Sequence, residues 1–239
     1  MNVALWLLLI ILCASCAKPV GGPHRAKGDN PDATVLNSNV VIRSVQVSPK
    51  LPAYRFVLTP DFAENNSPGG PQHIGRIDIF KGNSKRVLQS IAVEGAHGSW
   101  FTESFHPVDI NFDGYLDFAV VYEVGGKYSR ESYWLFDPGS GRYITNALTA
   151  ELGELTYREL TLEPQKKEIR ISHFIGVCLD SWEIFRVENG HLILMESEMH
   201  SPKEPGRCVV ERRKRVNGEL VLIETTEQKH AAAPARGNP

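Results

Sequence analysis

The sequence has little of what ordinary active sites are made from. Its eight histidines (His24, His73, His97, His106, His173, His191, His200, His230) are scattered, with no His-Glu-x-x-His pair and no spacing that would build a zinc site. Gly139-Ser140-Gly141 lacks the flanking residues of a nucleophile elbow, and both of its neighbours read as strands. Gly125-Gly126-Lys127 lacks the upstream glycine and the following Ser or Thr of a phosphate-binding loop. Carboxylates are plentiful, yet no pattern pairs two of them across a cleft as glycoside hydrolysis requires. Excess charge is missing too: a formal net charge of -2 gives no reason to expect nucleic acid as a partner. A non-catalytic protein is therefore expected. Long apolar runs are equally scarce, and Val3 to Leu12 is too short to span a bilayer.

What is present is concentrated in one stretch, Asp109-Ile-Asn111-Phe-Asp113-Gly114-Tyr115-Leu-Asp117. Three carboxylates and one amide fall at positions 1, 3, 5 and 9 with glycine at position 6, so their oxygens can converge on one point. A hard cation wants this, because Ca²⁺ takes roughly six to eight oxygen ligands and the glycine allows the sharp turn between them. Tyr115, at position 7, would add its backbone carbonyl. Position 12 is Val120, where a helix-loop-helix calcium hand carries a bidentate Glu. The flanks, Phe105 to Ile110 and Leu116 to Val124, are β-branched and aromatic. The expectation is a calcium loop set between strands; the plainer alternative is an acidic turn without metal.

The first residues read as an export signal, with an apolar core followed by small residues. Leu12-Cys13-Ala14-Ser15-Cys16 resembles a bacterial lipobox, so that residues 1–15 would be removed and Cys16 would carry lipid; an ordinary secretory signal is the alternative. Ala17 after the lipid cysteine favours, by that resemblance, the outer membrane facing the periplasm. In that oxidising compartment Cys178 and Cys208, the only other cysteines, are expected to pair. Residues 16–35 read as a flexible tether, of which Lys18 to Asp32, rich in Gly, Pro, Lys and Asp, has a reach of roughly 20 to 25 Å.

From residue 36 to 228 the pattern is all-β. Val41 to Val47, Ile74 to Phe80 and Leu88 to Val93 alternate, and Phe118 to Val124 is continuously apolar, as a core strand would be. Asn146 to Leu155 is the best helical candidate. Turn signals at Pro138 to Gly141, Glu163-Pro164-Gln165, Asn189-Gly190 and Asn217-Gly218 imply an antiparallel meander of hairpins, forming a sandwich or an incomplete propeller. The basic run Arg212 to Arg215 precedes the last turn and Glu219, Glu224 and Glu227 follow it, so it reads as a paired face. Residues 229–239 read as a disordered tail.

The loop Asp109 to Asp117, the aromatic strand Tyr133-Trp134-Leu135-Phe136-Asp137 and the hairpin Gly139-Ser140-Gly141-Arg142-Tyr143 together resemble a family of calcium-binding periplasmic lipoproteins. These act as immunity proteins against lysozyme-like effectors of type IV secretion systems. The likeness covers roughly Gly98 to Leu194 plus the lipobox. It implies an all-β, partly propeller-like fold related to periplasmic lysozyme inhibitors, and inhibition by a loop inserted into the enzyme cleft. Such a plug needs donors for the cleft carboxylates and a rigid aromatic for a sugar subsite. Ser140-Gly141-Arg142-Tyr143 partly matches the Ser-Gly loop of those inhibitors, although an ordinary hairpin with Tyr143 packed on the sheet explains it as well. Tyr128 and Arg130 form a second candidate. The competing functions are a calcium-braced scaffolding lipoprotein without a hydrolase partner and, less favoured, an enzyme acting on cell-wall polymer.

Overall fold

The computed structural model describes residues 34–35, 40–61, 73–93, 104–124, 128–174 and 176–229. The signal, Cys16, most of the tether and the tail beyond Lys229 lie outside these residues. Within them the protein is all-β with one short helix. A first antiparallel sheet runs in the order β1 (Thr34–Val35), β2 (Val41–Val45), β3 (Tyr54–Asp61), β4 (His73–Lys81) and β5 (Gln89–Ala92). A second contains β6 (Phe105–Val108), β7 (Asp117–Val124), β8 (Ser129–Asp137) and β9 (Arg142–Ile144). Helix α1 (Ala147–Glu154) leads into a third sheet: β10 (Glu159–Glu163), β11 (Glu168–Phe174), β12 (Asp180–Glu188), β13 (His191–Glu204), β14 (Arg207–Val216) and β15 (Glu219–Lys229). Each sheet keeps its strands in chain order, which is the meander that the turn signals imply.

The second sheet is the middle layer, and the sequence of β7 explains why. Phe118 and Val120 point into a core shared with Val41, Tyr54, Phe56, Leu58, Ile77 and Ile79 of the first sheet. Ala119 points the other way, toward Leu148 and Leu152 of the helix and Ile169, Ile171 and Phe185 of the third sheet. A strand buried on both faces cannot alternate, so its apolar run is continuous, whereas β3 is covered on one face and alternates cleanly. The first core is unusually aromatic. Phe56, Phe105, Phe118, Phe136 and Tyr143 lie with ring centroids 4.9 to 5.5 Å apart, mostly edge to face or tilted, the preferred arrangements of their quadrupoles.

Local chemistry sets the ends of the elements. Asn146 caps α1 by accepting from Thr149 N at 3.1 Å, and Thr149 Oγ1 accepts from Asn146 N at 2.8 Å, a reciprocal capping box. The hairpins at Asn189-Gly190 and Asn217-Gly218 have φ of 52° and 77°, and of 51° and 88°. Both central residues are left-handed, as a type I′ turn demands. The basic run of β14 is paired as its charges imply: Arg212 stands opposite Glu224, with Nη1 3.3 Å from Oε2, and its other side grips Glu198 of β13 at 2.6 Å. Glu227 instead serves Lys203 and Arg207, and Glu219 faces Val216.

Candidate functional site: the acidic loop and the β8 rim

The loop between β6 and β7 is built around backbone N–H groups that meet carboxylates. Asp109 accepts from Asp113 N at 3.1 Å and from Gly114 N at 3.0 Å, joining loop positions 1, 5 and 6. Asn111 Oδ1 accepts from Asp113 N at 3.1 Å, its amide donates to Asp113 Oδ2 at 2.9 Å, and Asp113 Oδ1 accepts from Tyr115 N at 2.8 Å. Gly114 has φ +86° with open space where a Cβ would stand, so the backbone conformation, and not crowding, is what selects glycine there. Tyr115 stacks on Phe136 with centroids 5.5 Å apart and so ties the far side of the loop to the aromatic core.

Asp117 is fully buried. Its Oδ2 accepts from Ile110 N at 3.1 Å and its Oδ1 from Phe136 N at 2.8 Å. The strand expected through Ile110 stops at Val108, because the Ile110 amide turns to this side chain instead of the ladder. Burial pushes the Asp117 carboxyl up to about 7 against the two amides, and the charges of Asp113 and Asp109 push the same way. Burial likewise raises Asp109, with the amides of Gly114 and Asp113 opposing. Carboxyls at Asp109 and Asp117 whose ionised forms are disfavoured in this way favour an incoming positive charge, and an all-oxygen donor set suits a hard cation. The residues therefore fit Ca²⁺ in kind. As they stand, the side chains are turned onto amides: among the described residues no group of three or more His, Cys, Asp and Glu side chains is gathered tightly enough to hold a metal.

Of the two loops singled out as plugs, the hairpin between β8 and β9 is rigid but holds its aromatic inside. Asp137 accepts from Gly139 N and Ser140 N, both at 3.1 Å, and Tyr54 donates to Gly141 O at 3.4 Å. Ser140 and Arg142 are exposed and Gly141 half-buried. Tyr143, only 2% exposed, lies within the aromatic core and donates to Leu116 O at 3.2 Å. The expectation that Tyr143 could fill a sugar subsite is corrected by this burial: alternation along β9 turns it inward while Arg142 and Ile144 face out.

Tyr128 and Arg130 stand differently. Tyr128 is 42% exposed and donates to Glu123 Oε1 at 2.9 Å. The Arg130 guanidinium has its nearest carboxylates, Glu154 and Glu123, at 3.7 and 3.9 Å, and its Nε is buried without an acceptor. Both are ion pairs too long for a direct hydrogen bond, and among the described residues the Arg130 guanidinium makes no closer polar contact while staying 31% exposed at the rim.

Behind this rim lies a cluster that the sequence reading missed. Glu131 is buried, and its Oε2 accepts from Tyr133 OH at 2.9 Å with His106 Nε2 at 3.3 Å; the Tyr133 and Tyr157 hydroxyls are 3.0 Å apart. Burial pushes the Glu131 carboxyl up, but hydrogen bonds from His106, Tyr133 and Tyr157 outweigh it and leave it below the usual carboxylate range. The signal was available in the alternation of β8, since Glu131 has the same parity as Tyr133 and Leu135 and is a carboxylate at an inward position.

Elsewhere, Cys178 and Cys208 form the expected disulfide, with Cα atoms 5.4 Å apart, linking the β11–β12 turn to β14. Among the described residues no helix is long and apolar enough to cross a membrane.

No family model matches the chain, and no curated protein matches it. Among solved structures, one described as a Xanthomonas type IV secretion system related protein is similar, with a TM-score of 0.56 and 14% identity. The match covers 81% of this chain and 97% of that one. At this identity the likeness is one of fold.

Proposed function

We propose that the protein is a lipid-anchored, calcium-braced immunity protein of the periplasm that inhibits a lysozyme-like peptidoglycan hydrolase without being an enzyme itself. Lipid on Cys16 would hold it at the outer membrane, and the fold it shares with a type IV secretion related protein supports that setting. The contact falls to Tyr128 and Arg130. The observation that carries this reading is the partly exposed guanidinium of Arg130, held only by ion pairs of 3.7 and 3.9 Å, beside an exposed tyrosine. A cleft that works with two carboxylates offers acceptors to Arg130, and a saccharide subsite offers a slot for a flat ring. Tyr and Arg are also the residues that dominate interface energies.

Ca²⁺ would be held by the side chains of Asp109, Asn111, Asp113 and Asp117 and the carbonyl of Tyr115. Its contribution is structural, as a cation that offsets the repulsion among those carboxylates and stabilises only the folded state. Asp117 bridges to Phe136 of β8, so bracing the loop also braces the strand that carries Arg130 at its other end.

The test is a pull-down from cell envelope with calcium present, followed by hydrolase assays with the recovered enzyme. Inhibition should be lost in a Tyr128→Ala/Arg130→Ala variant and kept in Ser140→Ala/Arg142→Ala. Inhibition surviving the first pair removes this contact, and a pull-down that recovers no hydrolase favours the scaffolding role.

A further inference from the structure

We infer that Glu131 and Tyr157 are positioning residues for the Tyr128 and Arg130 contact, a buried hydrogen-bonded cluster that fixes where those two side chains stand. This rests on the function proposed above.

The argument starts from the ladder. β7 and β8 pair regularly from Phe118 opposite Trp134 to Val121 opposite Glu131, and then the register shifts, with Tyr122 as the extra residue before Glu123 meets Arg130. A bulge weakens the hydrogen-bonded constraint just where the contact residues begin, and it re-aims the side chains beyond it. The ladder resumes beyond it, with Glu123 opposite Arg130 and Val124 opposite Ser129, and a second hold on that end of β8 comes from the segment after α1.

Tyr157 supplies this hold from two directions. Its backbone clamps Ser129, the residue between Tyr128 and Arg130: Ser129 N donates to Tyr157 O at 2.6 Å and Tyr157 N to Ser129 O at 3.2 Å. Its hydroxyl meets Tyr133 OH at 3.0 Å, and Tyr133 in turn donates to Glu131. One residue therefore ties the segment after α1 to β8, at Ser129 by its backbone and, through Tyr133, at Glu131 by its side chain. Arg130 lies between those points and projects to the opposite face from Glu131, so its base is held on both sides.

Energetics point the same way. A buried carboxylate carries a desolvation cost that an apolar side chain would avoid, and apolar replacements of such groups are often neutral or stabilising. What a fully bonded polar cluster supplies is a single geometry. Glu131 meets His106, Tyr133 and Tyr157, and burial without those partners would leave it unsatisfied. A rim with one fixed geometry loses less freedom on binding a rigid cleft, which is where affinity is gained.

The test uses Tyr157→Phe and Glu131→Gln in the full chain, with Arg130→Ala as the background for a double-mutant cycle. Two readouts are taken: hydrogen exchange at the Ser129 amide in the free protein, and inhibition of the hydrolase recovered as above. Tyr157→Phe should speed exchange at Ser129 and weaken inhibition about tenfold, while in the Arg130→Ala background it should change the remaining affinity less than about twofold. Inhibition unchanged in both cluster variants, or losses that simply add to that of Arg130→Ala, would show a cluster that serves stability only. If Arg130→Ala itself leaves inhibition intact, the contact proposed earlier is wrong, and the positioning role falls with it. Should Tyr157→Phe not fold, His106→Leu removes one half-exposed donor to Glu131 and is held to the same two readouts.

Discussion

Asp117 Oδ1 accepts the backbone N–H of Phe136 at 2.8 Å, while its second oxygen accepts that of Ile110 at 3.1 Å. A single buried carboxylate thus joins the acidic loop to the neighbouring strand, and the loop inherits the rigidity of the sheet. Two backbone amides depend on this one side chain.

Replacing Asp117 should therefore cost more than an ordinary loop substitution. Asp117→Asn keeps the shape but turns an amide donor toward one of the two N–H groups, a loss of about 1–3 kcal/mol for an unsatisfied buried group. Asp117→Ala leaves both amides without a partner and should cost more. Urea denaturation of the two variants checks the order, and Asn equal to or worse than Ala would contradict it.

Calcium and its removal should move stability through this loop. A ligand bound only by the folded state raises the melting temperature with its concentration, by ~2.7 kcal/mol at a hundredfold excess over the dissociation constant. The expected outcome is a rise with added Ca²⁺, reversed by chelator, and abolished in Asp109→Ala/Asp113→Ala. A melting temperature indifferent to both additions would leave the loop as an acidic turn.

Much of this was legible because period and turn chemistry act locally. Asn189-Gly190 and Asn217-Gly218 demanded left-handed φ, and β3 alternated because one face meets the core. Asn146 to Leu155 was the best helical candidate, and α1 forms inside that span with Asn146 as its cap. What local rules could not give was the layer order, and hence which side of each strand is the inside. Tyr143 looked available because it follows an exposed hairpin, yet the first sheet closes over it. Glu131 was passed over for the converse reason: a charged residue reads as surface until Tyr133, Tyr157 and His106 are seen to gather around it from three different segments.

The burial of Tyr143 makes its role separable from binding. Tyr143→Ala removes a ring packed against Phe56, Phe118 and Phe136 and should destabilise by about 3–5 kcal/mol, as large-to-small aromatic changes in cores do. Tyr143→Phe loses only the hydrogen bond to Leu116 O, about 0.5–1.5 kcal/mol. The folded fraction of either variant should inhibit as the parent does. A Tyr143→Phe protein of normal stability without inhibition would restore the β8–β9 hairpin as the plug.

The disulfide should matter to the third sheet. It closes a loop of 30 residues that contains β12 and β13, and on the chain-entropy model it stabilises by ~3 kcal/mol. Cys178→Ala/Cys208→Ala is expected to lower the denaturation midpoint accordingly, and reducing agent should do the same to the parent but not to the variant.

Acid should act through Glu131. Its carboxyl is held below the ordinary value of 4.5 in the folded protein, despite burial, by His106, Tyr133 and Tyr157. A carboxyl whose folded pKa is depressed contributes stability that is fully present above its unfolded value and is lost as pH falls through the folded one. The contribution of Glu131 should thus be constant from neutrality down to about 4.5 and decline below it, where protonation takes away an acceptor from three donors. Glu131→Gln removes that titration, so its stability at neutral pH should be lower and its acid slope shallower than the parent's. Chemical denaturation at a series of pH values decides the matter: parallel curves for the two proteins below pH 4.5 would mean that Glu131 is not held in its charged form by the cluster around it.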